Sequence, residues 1–163
     1  GMDFGEALRP GEVAPDFELA DLDGMQVSRD ALLSRGLPVV LVFTSPSCGP
    51  CQALMPELAR WHAALNERLT LVVVESGVGT AEALRDQMRA LGDFPVLVEP
   101  SRDVALAYRT SGTPTGIAIS PEGRIASPPL PGADHIENLI RTVLSTDGAV
   151  PTPRPPAVVA GGR

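Results

Sequence analysis

A chain of 163 residues is long enough to bury a sizeable core as one domain without disulfide staples or a structural metal, so its two cysteines are free for chemistry. At a net charge of −7 it shows no basic patch of the kind that nucleic acid or an anionic membrane attracts, which argues against both as partners. The longest strongly apolar run, Leu37 to Phe43, is too short to span a bilayer, and no basic segment followed by an apolar one opens the chain.

Gly1 ahead of Met2 reads as a residue left by a tag, which leaves room for a removed upstream signal or membrane anchor. Residues 1–10 are expected to be a flexible N-terminus, 11–145 the folded domain and 146–163 a Pro/Gly-rich disordered tail. Within the domain, the Asp23-Gly24 turn between Phe17–Ala20 and Met25–Val27 predicts a hairpin. Asp30 is placed to cap the short turn Ala31–Leu33. Gly36 to Pro38 breaks that turn before a strand, Val39–Phe43, which is apolar on both faces as a central strand of a covered sheet should be.

From Gly49 to Asn66 the pattern turns helical, with Leu54, Leu58, Trp61 and Leu65 on one face and Pro56 expected to kink the helix. A second buried strand starts at Leu69, and Thr80 caps a predicted helix from Ala81 to Leu91. There follow a strand at Pro95–Val98, a short helix at Arg102–Arg109 and a strand at Thr115–Ser120. Pro121 to Gly123 turn the chain into Arg124–Pro128 as a second hairpin. A last helix, Asp134 to Leu144, carries the stripe Ile136, Leu139, Ile140 and Val143. Strands alternating with helices predict an α/β fold with a mostly parallel sheet that ends in an antiparallel hairpin.

Both cysteines fall in "CGPC", Cys48 to Cys51, between a buried strand and the first turn of a helix. There the unpaired amides and the positive end of the helix dipole favour a thiolate, which makes Cys48 the candidate nucleophile. Cys51, one turn on and more enclosed, is placed to attack a mixed disulfide at Cys48. Zinc is a poor fit, because the remaining soft donors, His62 and His135, stand at no ligand-like spacing. His62 reads as a rim residue, His135 as a surface residue, and Trp61 and Tyr108 as core aromatics.

The CGPC stretch, the helix proline Pro56 and the distant "SGTPTGIAIS" together resemble the thioredoxin superfamily. The opening "GEVAPDFEL" with its hairpin, and an extra helix and strand before the proline, resemble its TlpA/ResA/DsbE branch and the related redoxin (AhpC/TSA-like) sequences. The resemblance covers about Gly11 to Ser145 and implies a thioredoxin-like fold, a mixed central sheet flanked by helices. It implies a thiol:disulfide oxidoreductase working as a reductant, with Ser47, Gly49 and Pro50 completing the active-site loop. Thr113 and a cis Pro114 would form the edge where a peptide docks by strand addition. It further implies no cofactor beyond the redox-active Cys48–Cys51 disulfide, protein thiol or disulfide substrates, an upstream redox partner, a monomer, and a bacterial extracytoplasmic location.

The chain also departs from that pattern. Thr44 and Ser47 stand where thioredoxins carry tryptophan, and Val42 stands where they bury an acid; Glu75, at the end of the second core strand, is the candidate proton acceptor for Cys51. A peroxiredoxin-like thiol peroxidase is the rival reading: Ser45 matches the residue three before a peroxidatic cysteine, whereas Leu41 replaces the proline seven before it. A redox-inactive thioredoxin-like binding module is the third.

Overall fold

The computed structural model describes residues 8–77 and 94–146 of the chain. The expected helix at 81–91 and most of the expected tail lie outside the described residues. The described elements are β1 (Glu18–Asp21), β2 (Gln26–Ser28), α1 (Arg29–Leu33), β3 (Val39–Thr44), α2 (Gly49–Leu65), β4 (Thr70–Ser76), β5 (Val96–Glu99), α3 (Asp103–Ala107), β6 (Thr115–Ile119), β7 (Leu130–Pro131) and α4 (Ala133–Thr146). They build one seven-stranded mixed sheet in the order β2-β1-β5-β4-β3-β6-β7. Only β3, β4 and β5 run parallel; β1 pairs antiparallel with β5, and β6 antiparallel with β3. The sheet is thus less parallel than the strand–helix alternation implied.

Every residue of β3 and β4 is buried, and alternation sorts their side chains into two cores. Val40, Val42, Leu71 and Val73 face α2 and α4, meeting Leu54, Leu58, Trp61, Ile136 and Ile140. Val39, Leu41, Phe43, Val72 and Val74 face the other way, against Phe17, Ala105 and Tyr108. Tyr108 is fully buried, and its hydroxyl donates to the carbonyl of Pro15 at 2.6 Å, fastening the entry segment to that layer. On the opposite face β6 comes close to α4. A Cβ added at Gly116 would lie 2.9 Å from Ile136 Cγ1, so glycine here sets the approach of helix to sheet.

Two local expectations change. Ser28, not Asp30, caps α1: its extended backbone aims the hydroxyl at the Ala31 amide, 3.0 Å away, while Asp30 sits in the first turn and pairs with Arg29. The hairpin after Gly123 reduces to an isolated bridge, Ile119 with Ile125, made by the Ser120 amide on the Arg124 carbonyl at 2.7 Å and the Ala126 amide on the Ala118 carbonyl at 2.8 Å. Ser127 then spends its hydroxyl on the Ala118 amide, and Pro128 and Pro129 have no amide hydrogen to continue the ladder. The strand that pairs with β6 is therefore β7, further along, through Thr115–Pro131 and Gly116–Leu130.

Candidate active site

The motif lies where β3 leaves the sheet and α2 begins. Cys48 is the N-cap of α2: its backbone is extended (φ −93°, ψ 107°) and its Sγ accepts the Cys51 amide at 3.1 Å. Gly49 and Pro50 open the helix, and the proline loses nothing there because the first-turn amides have no partner within the helix. The Cys48 amide donates to the Ser45 carbonyl at 3.2 Å, and the Cys48 carbonyl accepts from Gln52 at 3.1 Å. The two cysteines are joined as a disulfide. Their exposure differs: Cys48 is half-buried, whereas Cys51 is 1 % exposed. An incoming sulfur can reach the first and not the second. Ser47, Gly49 and Pro50 are exposed around them. Pro56 lies inside α2 on its exposed face, and the helix runs through it to Leu65.

The distant Thr-Pro pair arrives at the same place. The Thr113–Pro114 peptide bond is cis, Pro114 is buried and Thr113 half-buried. Thr113 Oγ1 and Ser45 Oγ lie 3.1 Å apart, so Thr113 is hydrogen-bonded to the loop that leads into Cys48. Behind the loop stands Gly77, whose φ of +120° disfavours a side chain; an added Cβ would come into contact with Pro46 Cδ at 3.4 Å.

Glu75 lies in register with Thr44 and, by alternation from Val73, on the sheet face that carries α2. It is 9 % exposed. Burial pushes its pKa above the ordinary carboxylate value of 4.5, while the hydrogen bond donated by Thr44 Oγ1 pulls it partly back. Among the described residues that bond is with Thr44, and none joins Glu75 to Cys51. Val42 is fully buried in the core beneath α2.

Sequence reasoning missed two features of this end of the sheet. The Ser45–Thr113 contact joins residues 68 apart and has no local signal; Thr44–Glu75 does have one, since each stands two residues beyond a core valine of the same face. His62 is partly buried with its ring edge-on to Phe94, and His135 is exposed with Nδ1 2.7 Å from the Pro131 carbonyl.

Residues 10–127 match the AhpC/TSA family. The chain is similar to the thiol-disulfide oxidoreductase ResA of Bacillus subtilis, at 31 % identity over 74 % of this chain, and to the methylamine utilization protein MauD of Methylophilus methylotrophus, at 30 % over 82 %. It spans 66 % and 62 % of the length of those two proteins. Among solved structures it resembles a candidate thiol:disulfide interchange protein DsbE from Chlorobium tepidum, with a TM-score of 0.73 and 25 % identity over 85 % of this chain and 97 % of that one.

Proposed function

From the premise that the chain belongs to the AhpC/TSA family, with a thioredoxin-like fold close to that of ResA- and DsbE-type proteins, we propose that it is a thiol:disulfide oxidoreductase acting on protein substrates as a reductant. The observation that carries the reading is the asymmetric pair: a half-buried Cys48 at a helix N-cap, bonded to a buried Cys51. Amides of the first helical turn and the positive end of α2 stabilise a Cys48 thiolate. That thiolate attacks one sulfur of the substrate disulfide, forming the Cys48–substrate bond and releasing the other sulfur as thiolate.

Cys51 completes the exchange. It gives its proton to Glu75, its thiolate attacks Cys48 Sγ, and the second substrate sulfur leaves and takes up a proton. Two electrons have then passed from the dithiol to the substrate, and an upstream redox partner must return them. Thr113 and Pro114 offer the backbone edge against which the substrate chain lies. The reductant direction is supported by the Gly49-Pro50 pair, which resembles that of reducing thioredoxins. Similarity to ResA- and DsbE-type proteins supports an extracytoplasmic location in a bacterium, and a monomer is the expected state; among the described residues no helix is long and apolar enough to cross a membrane.

Cys48→Ser should abolish reduction of insulin disulfides, and Cys51→Ser should accumulate a mixed disulfide visible by non-reducing electrophoresis. Full activity of the Cys48 variant would sink the reading. A redox titration of the couple tests the direction, a low potential being the reductant's signature. The family match itself keeps peroxide reduction as the second reading, and rapid turnover of hydrogen peroxide would favour it; against it, the Ser45 hydroxyl is hydrogen-bonded to that of Thr113.

A further inference from the structure

The exchange steps make no use of the Ser45–Thr113 hydroxyl pair. Ser45 is held at two points: its carbonyl accepts the Cys48 amide at 3.2 Å, and its Oγ lies 3.1 Å from Thr113 Oγ1. One residue thereby fixes both the nucleophile's backbone and the side chain just before the cis bond. Two hydroxyls carry two hydrogens, and one O–H···O bond uses a single hydrogen. Among the described residues the other has no protein acceptor, although both side chains are half-buried beside the motif. A half-dehydrated donor gains most from an acceptor that a ligand brings.

We propose that Ser45 is a positioning residue: it locks Thr113 so that the pair's remaining hydrogen is donated to a backbone carbonyl of the substrate, next to the substrate's cysteine. The inference rests on the exchange reading of the same site and names a specificity-determining contact within it. The rim carries the hydroxyls of Ser45, Ser47 and Thr113. It therefore selects an extended polypeptide disulfide, which presents carbonyls on both sides of its sulfur, over a small disulfide that presents none.

The test is steady-state reduction of two probes by the full chain, with dithiothreitol returning the electrons and its uncatalysed rate subtracted: a linear peptide joined through its cysteine to a fluorescent thiol, and dithiobis(nitrobenzoate). Ser45→Ala should raise KM for the peptide about fivefold with a smaller change in kcat, and should lower the peptide's kcat/KM about fivefold more than that of the small disulfide. Ser45→Thr should restore most of the loss. Thr113→Ala breaks the same bond from the other side, so it should show the same selectivity, and the double variant should lose less than the sum of the singles. Equal losses on both probes, additive losses, or a threonine variant no better than alanine would overturn the proposal while leaving the exchange reading in place. An unaltered protein inert towards both probes would remove that reading and this proposal together.

Discussion

Glu75 and Glu99 are buried carboxylates at the same end of adjacent parallel strands, and the fold treats them in opposite ways. Glu99, 2 % exposed, accepts from the Ser76 hydroxyl at 2.6 Å and from the amides of Val104 and Ala105 at 2.9 and 3.0 Å. Those two amides belong to the first turn of α3, which has no side-chain cap of its own, so Glu99 supplies what the helix start lacks. Glu75, on the other face of the sheet, has among the described residues the single donor Thr44. A carboxylate given several donors is a piece of architecture. One that is dried out and given a single donor is set to take up a proton.

The largest effect expected from breaking this contrast is on stability. Glu99→Ala strands a hydroxyl and two helix amides and should cost roughly 2–4 kcal/mol in urea unfolding. A loss below about 1 kcal/mol would mean that water replaces the carboxylate and that the architectural role is wrong.

Glu75→Gln should act on chemistry instead. Loss of the proposed proton acceptor should slow release of the Cys48 mixed disulfide by about tenfold or more and flatten its rise with pH. It should also separate the two states by linkage. The folded chain holds the Glu75 proton more tightly than the unfolded one, so the acid's stabilising contribution is complete below 4.5 and is lost as pH rises through the raised folded value. The glutamine variant lacks that decline, so in urea midpoints from about pH 4 to about pH 8 it should gain on the unaltered protein as pH increases. Parallel curves would show that Glu75 does not titrate in this window.

Thr44→Val sharpens the same point with a smaller change. The hydroxyl's hydrogen bond lowers the Glu75 pKa, so removing it leaves burial unopposed and should move both the linkage window and the pH profile upward, at a stability cost of about 1 kcal/mol. Smallest of all is Gly49→Ala, which touches neither acid. A Cβ there meets nothing within 4 Å, and unfolding should change by no more than about 0.5 kcal/mol.

The two acids also mark how far the sequence could be read. Apolar runs and helical spacing located β3, β4, α2 and α4 to within two residues, because each buries a face that the pattern records. The same α/β alternation overstated the parallel character of the sheet, since periodicity says nothing about strand direction. Side chains that replace backbone partners were the other blind spot. Ser28 capping α1, Ser127 interrupting the second hairpin and Glu99 capping α3 each depend on which polar side chain reaches an amide first. At this end of the sheet, the pairing of Cys48 with Cys51, the cis Thr113–Pro114 bond and the strand-end place of Glu75 were legible, whereas the link from Ser45 to Thr113 required the fold.

The short β7 has a consequence beyond topology. Pro131 lies within that edge strand and Pro128 and Pro129 precede it, so this margin of the sheet offers few amide hydrogens to a neighbouring chain. The opposite margin, β2, is three residues long. A protein whose proposed work brings it against extended polypeptides needs one place where a strand can lie and no others that invite it. Its flanks offer a passing chain little to pair with.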